Sequence, residues 1–177
     1  MALSEDPSAV PQHVSANVDR ESSRERRDIR RVIDIWQQNL SEDGRPPLLA
    51  TFDFSQMKAD WGHRFLICSD ETVENAVFAV YGSKFAQLLA LPDKATGEIP
   101  AIYQIPERYR PLFTAGCNNA TVQRAPARLS GSFKSDFQVE VYRTVFMPII
   151  LQPNWSKQLI FGSFNSRTVL AVDRTAP

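Results

Sequence analysis

The segment from residue 138 to residue 172 constrains the fold more than any other part of the chain. It reads as two long strands rich in valine, isoleucine and phenylalanine, interrupted once by the turn Pro153-Asn154-Trp155-Ser156. Strands joined so closely pair most simply as antiparallel neighbours. We expect this hairpin to close a sheet whose inner face is covered by helices from the middle of the chain. That arrangement forms a cup, which holds either a small molecule or a packed core.

Shorter elements precede the hairpin. The segment HRFLICSD predicts a first strand, AVFAVYG a second from Ala76 to Gly82, and a third is expected from Arg128 to Phe133. Helices are expected from Ser55 to Asp60, with Ser55 as N-cap, from Ser83 to Leu89, and from Pro106 to at least Gly116. Five strands with helices inserted between the second and the third indicate an α+β domain.

The beginning of the chain divides into a tail and a helix. Residues 1–21 are polar and show no apolar period, which predicts a flexible tail. Ser22 and Glu25 form an S-x-x-E capping box, so a flanking helix is expected within 22–44, before a domain at 45–172. Its apolar stripe is Ile29, Val32, Ile33, Trp36 and Leu40. The arginines from Arg24 to Arg31 alternate with acids, which favours a solvated face over contact with an acidic partner.

Composition excludes several classes of protein. The 20 basic and 20 acidic side chains balance, whereas a nucleic-acid-binding protein has a basic excess. No apolar run is long enough for a membrane span, and the N-terminus has no secretory pattern. The cysteines, Cys68 and Cys117, form no disulfide framework, which favours a cytoplasmic protein with reduced thiols. The scattered histidines and cysteines predict no metal site, and no residue pattern indicates catalysis, so an enzyme is not expected.

Four segments resemble the PAS family, in particular bacterial single-domain members with a tryptophan-bearing helix at the N-terminus. They are WQQNLSEDGRPPLLATFDFSQM, YGSKFAQLLAL, IPERYRPLF and YRTVFMPIILQPNWSKQLIFGSFNSR, and the resemblance spans about Asp28 to Val169. It implies a five-stranded antiparallel sheet in the order 2-1-5-4-3, with helices on one face and the flanking helix at the N-terminus. It also implies a role in sensing or protein–protein interaction.

Two cofactors of PAS proteins do not fit this sequence. Haem-binding members supply a histidine from the helix before the third strand, whereas here the histidines are His13 and His63. Light-sensing flavin members place a reactive cysteine in an Asn-Cys-Arg-Phe-Leu-Gln motif, which the surroundings of Cys117 do not match. We therefore expect no cofactor.

If the cup binds a ligand, the site is expected between the Pro106 helix and the inner face of the sheet. The residues predicted to line it are Tyr103, Tyr109, Phe113, Arg143 and Phe164. Arg143 interrupts the apolar alternation of the penultimate strand. It either anchors a carboxylate or phosphate, or it pairs with a structural Asp or Glu, and we favour the pair.

The flanking helix also has two interpretations. Its stripe, from Ile29 to Leu40, either packs entirely on its own sheet in a monomer, or is wide enough to be buried against both that sheet and a partner in a homodimer. PAS domains of similar layout often pair through such a flanking helix. The strand face with Gln138, Glu140, Tyr142, Thr144 and Phe146 is a candidate surface for that helix or for a second subunit. The function expected from the whole sequence is a signalling module that acts through a partner protein. The alternative is a small-metabolite-binding protein.

Overall fold

The computed structural model describes residues 12–69, 73–153 and 157–170. Within these ranges five strands form one antiparallel sheet in the order β2-β1-β5-β4-β3, which confirms the predicted PAS-like arrangement. The strands are β1 (Arg64–Ser69), β2 (Val77–Tyr81), β3 (Ala127–Lys134), β4 (Gln138–Ile150) and β5 (Gln158–Leu170). The predicted turn at residues 154–156 lies outside the described residues.

Four α-helices accompany the sheet within the described ranges. They are α1 (Gln12–Gln38), α2 (Ser83–Leu89), α3 (Ala101–Gln104) and α4 (Arg110–Gln123). Helices of the 3-10 type occur at Leu49–Thr51, Phe54–His63, Val73–Asn75 and Glu107–Tyr109. The predicted Ser55 helix is thus a longer 3-10 helix, and its N-cap is Asp53, whose carboxylate accepts the Ser55 N–H at 2.9 Å. The Pro106 element is a 3-10 turn that leads into α4.

The start of α1 corrects the predicted boundary at residue 22. The helix begins at Gln12, so residues 12–21 belong to it, while residues 1–11 lie outside the described residues. Ser22 lies within the helix and is therefore not its N-cap. Glu25 serves a different purpose, because its carboxylate reaches two arginines of the sheet.

The sheet separates two apolar clusters. The inner face packs against α2 and α4, and α4 approaches β4 so closely at Gly116 that a Cβ there would lie 2.2 Å from the Phe146 ring. The outer face packs against α1 through Val145, Met147 and Ile149 of β4. Because successive strand residues point to opposite faces, β4 contributes to both clusters.

The far end of β4 extends beyond its partner β3. Pairing between these strands stops at Phe146, opposite Ala127. Further along, Leu48 bridges Ile150, whose N–H donates to the Pro47 carbonyl at 2.8 Å. A short segment before the first 3-10 helix therefore covers part of this edge.

Candidate functional site

Aromatic rings fill the space between α4 and the inner face of the sheet. Phe113 lies at the centre, with its ring centroid 5.3 Å from that of Phe146, 5.5 Å from that of Phe65 and 5.9 Å from that of Phe164. The buried rings of this cluster are Phe65, Phe78, Tyr81, Phe85, Tyr109, Phe113, Phe146 and Phe164. The interior of the cup at this position is a packed core.

The structure brings together three of the five residues predicted to bind a ligand. Tyr109, Phe113 and Phe164 are buried side by side in this aromatic core. Tyr103 lies on α3 and is 66% exposed. Arg143 lies on the outer face, which corrects its predicted place in the cup, because the alternating set of Val145, Met147 and Ile149 faces α1.

A polar chain borders the aromatic core. The hydroxyl oxygens of Tyr109 and Ser166 are 3.4 Å apart, and Ser166 donates to Glu140 at 2.6 Å. The other carboxylate oxygen of Glu140 accepts from Arg108 Nε at 3.0 Å. The face of β4 with Glu140, Tyr142 and Phe146 therefore faces the inner helices. This face was predicted to be covered by the flanking helix or by a second subunit, and its position against the inner helices corrects that prediction.

The apolar stripe of α1 packs on its own sheet. Ile29, Val32, Ile33 and Trp36 are buried there, Leu40 is half-buried, and Ile35 joins them. The indole N–H of Trp36 donates to the Pro148 carbonyl at 2.8 Å. The stripe predicted as a dimer interface thus packs against residues of the same chain, and the homodimer stays a prediction.

The N-terminal half of this interface is charged. Glu25 lies 3.2 Å from Arg167 Nε and 3.5 Å from Arg143 Nε. Arg143 therefore takes part in a structural ion pair, which is the alternative that we favoured from the sequence.

Asp28 forms the centre of the charged half. Its two carboxylate oxygens accept hydrogen bonds from both terminal nitrogens of Arg64, at 2.6 and 2.8 Å. Arg64 is only 1% exposed and donates also to Ser163 at 2.6 Å. Burial acts to raise the pKa of Asp28, but the hydrogen bond and charge of Arg64, with Asn165 and Ser163, outweigh it and hold the pKa below its usual value. Asp28 is therefore an anion that neutralises a buried cation.

This cluster was missed by sequence reasoning, although the sequence carries a signal for it. Glu25 lies four residues before Ile29 and Asp28 one residue before it, so both extend the apolar stripe towards the N-terminus. Acids within a buried stripe require partners of opposite charge. The partners come from strands that are distant in sequence, so their identity could not be read from the helix alone.

An open cleft of about 730 Å³ lies beside this cluster, between α1 and the segment leading into α2. Its lining is mostly basic or polar: Arg24, Glu25, Arg27, Asp28, Arg31, Gly62, His63, Ser83, Lys84, Asn165, Ser166 and Arg167. His63 Nδ1 lies 3.1 Å from the Phe164 carbonyl oxygen, so this nitrogen carries the hydrogen. Burial lowers the pKa of His63, which keeps the ring neutral at pH 7.

A second pocket, of about 280 Å³, lies beside the C-terminal half of α4. Cys117, Ile67 and Ile160 form its apolar part, and Thr121 and Gln158, which are joined by a 2.9 Å hydrogen bond, line it as well. Burial raises the pKa of Cys117 to about 12, so the group is a thiol at neutral pH and a poor nucleophile.

Among the described residues, no three His, Cys, Asp or Glu side chains are grouped so as to hold a metal ion. Within the same ranges, no helix is both long enough and apolar enough to cross a bilayer. No protein-family model matches the chain, and no curated protein is similar to it.

Proposed function

We propose that this chain is a sensory or protein-interaction module of the PAS type, which acts through a partner protein in bacterial signalling or regulation. The observation that carries this proposal is the aromatic packing of the inner face. Tyr109, Phe113 and Phe164 occupy the place where a ligand-binding member would hold its ligand. A domain whose cup is filled by its own side chains exerts its effect through its surface.

The distribution of polar groups supports the same proposal. The ion pairs of Glu25 and Asp28 attach α1 to the outer face. The cleft beside them is open to solvent and concave, as an interaction site requires. The proposal places the protein in the cytoplasm, with its thiols reduced, and assigns it no catalytic role and no cofactor.

The alternative function, binding of a small metabolite, is favoured by one observation. The pocket beside Cys117 lies between α4 and the inner face and combines apolar and polar lining. Its volume of about 280 Å³ is close to the lower end of the range typical of ligand sites, roughly 300 Å³. None of the residues predicted to bind a ligand lines it, so this alternative concerns a new location.

Native mass spectrometry of the full chain purified from its host tests the two functions. We expect a complex with a second protein, or a homodimer, and no small molecule in stoichiometric amount. Gentle activation should release intact polypeptides only. A small molecule bound one to one in every preparation would overturn the interaction proposal in favour of metabolite binding.

A further inference from the structure

The charges of α1 are separated by the fold although they alternate in sequence. Glu25 and Asp28 both turn towards the sheet, where their side chains are 12% and 21% exposed. The residues of this segment that face solvent include five arginines: Arg24, Arg26, Arg27, Arg30 and Arg31. Because these acids pair with arginines of the sheet, the solvent side of the helix keeps a strong positive charge.

Three of these arginines form a row along one wall of the 730 Å³ cleft. Arg24, Arg27 and Arg31 follow one another at intervals of three and four residues, which places them on one face of the helix. At a rise of 1.5 Å per residue, the row is about 10 Å long. Lys84 and Arg167 also line the cleft, and Arg167 is paired with Glu25.

The acids in the cleft do not cancel this charge. Glu25 is bound by Arg143 and Arg167, and Asp28 is bound by Arg64. An exposed acid of α1, Asp34, lies seven residues beyond Arg27 and ten beyond Arg24. A guanidinium has five N–H donors, so Arg31 can bind an anion while it donates to the Gln56 carbonyl at 3.2 Å.

We propose that this cleft binds an acidic segment of a partner protein, with Arg24 and Arg27 each holding a carboxylate. The inference rests on the proposed interaction function and names the chemistry of the partner. A row of arginines on the order of 10 Å long suits an extended chain, in which alternate side chains are about 7 Å apart. The planar fork of arginine suits carboxylates, which it can bind through two hydrogen bonds.

Nucleic acid is the less suitable anion. The chain has 20 basic and 20 acidic side chains, and the lining of the cleft includes the carboxylates of Glu25 and Asp28. A regular phosphate backbone requires a broad basic surface, whereas the basic lining of this cleft is interrupted by those two acids.

Fluorescence anisotropy with a fluorescein-labelled glutamate oligomer tests the proposal on the full chain. The variant Arg24→Gln/Arg27→Gln removes two cations of the cleft, and Arg26→Gln/Arg30→Gln removes two exposed cations of the same helix that do not line it. We expect the first pair to weaken binding about tenfold or more and the control pair less than about threefold. Equal weakening of binding by both pairs would show that the effect depends on net charge alone, and it would overturn the proposed site.

Nuclear magnetic resonance of His63 gives a second readout inside the cleft. The chain has two histidines, so the ring signals of His63 can be compared with those of His13 in one spectrum. The oligomer should shift the His63 signals more than the His13 signals in the wild type and in the control pair, but not in Arg24→Gln/Arg27→Gln. Wild-type protein that does not bind the oligomer would contradict the proposal.

Failure of this inference is distinguishable from failure of the proposed function. A partner that co-purifies with the chain and binds Arg24→Gln/Arg27→Gln as tightly as the wild type would overturn the proposed site for an acidic segment and leave the interaction function standing. Tighter binding of a DNA oligonucleotide than of the glutamate oligomer, with the same dependence on Arg24 and Arg27, would replace the protein segment by nucleic acid.

Discussion

The two faces of the sheet are held by different forces. The inner face is covered mainly by aromatic rings, with a polar chain at their border, and the outer face is covered by α1 through an apolar half and a charged half. Apolar packing is non-directional, so it tolerates small shifts of a helix. The bidentate pair of Asp28 and Arg64 fixes α1 at one position, because a shift of one residue turns the carboxylate about 100° away. The inner face thus supplies stability, and the outer face also determines where α1 lies.

Removing α1 should reduce the stability of the protein more than any of the substitutions below. A chain that begins at Pro46 lacks the helix, which packs against Val145, Met147 and Ile149 of the outer face. Each buried large side chain contributes roughly 1.5–3 kcal/mol, and the total stability of a domain is only about 5–15 kcal/mol. We expect this chain to lose its cooperative unfolding transition, as monitored by circular dichroism in urea.

A chain that begins at Ser23 is the control, since it keeps Glu25, Asp28 and the whole stripe. It should unfold cooperatively. A folded, soluble monomer from the Pro46 chain would show instead that α1 is dispensable for the outer face.

The inner face is tested by Phe65→Ala. The Phe65 ring contacts Phe85, Phe113 and Phe146, and its removal leaves a cavity in the core. The free energy of unfolding should fall by about 3–5 kcal/mol, measured from urea titrations. Tyr103→Ala, which truncates an exposed ring, should change it by less than about 0.5 kcal/mol. Comparable losses of unfolding free energy in both variants would mean that the inner face is not a packed core.

The charged half of the outer face is tested by Asp28→Asn. The variant keeps the shape of the side chain but leaves the buried Arg64 without its counter-charge. We expect a loss of about 3 kcal/mol in the free energy of unfolding. Asp34→Asn removes an exposed acid of the same helix and should cost less than about 0.5 kcal/mol. Similar effects of the two substitutions would rule out a specific role for Asp28.

The smallest effect is a change in the acid dependence of stability. The pKa of Asp28 in the folded protein lies below 3.8, its ordinary value. Its stabilising charge is therefore complete above pH 3.8 and is lost as the pH falls through the lowered folded pKa. The stability curves of the wild type and Asp28→Asn should converge in that range, in urea titrations at successive pH values. Curves that stay parallel would place the pKa of Asp28 at its ordinary value.

The sequence predicted the strands because these follow from local patterns, such as the alternation in β4 and β5 and the turn residues around Ala76–Gly82. Their order was implied by the resemblance to the PAS family, since the pairing of β1 with β5 joins distant parts of the chain. The face to which Arg143 points was predicted wrongly. A central strand that is covered on both sides has apolar residues at both its odd and its even positions, so the alternation does not identify the inner face. Val145 and Phe146 are equally apolar, and only the positions of α1 and α4 decide which of them is inside the cup.

The charged cluster could not be predicted for a different reason. Asp28 and Arg64 are 36 residues apart in the chain, and Ser163 completes their hydrogen bonds from 135 residues beyond Asp28. Local reasoning assigned Glu25 to a capping box with Ser22. The helix continues through that position, and the ion pairs with Arg143 and Arg167 explain why an acid stands there.

The hydrogen bond between Trp36 and Pro148 also affects how this sheet meets other molecules. Past Phe146, no strand of the described residues pairs with β4 on its β3 side, and alternate residues direct their backbone groups to the same side. The Ile150 N–H faces that side, so the Pro148 nitrogen faces it too, and this nitrogen carries no hydrogen. Its carbonyl is occupied by the indole. A strand from another molecule would find neither a donor nor an available acceptor at this residue, and the exposed end of β4 is thereby protected against edge-to-edge aggregation.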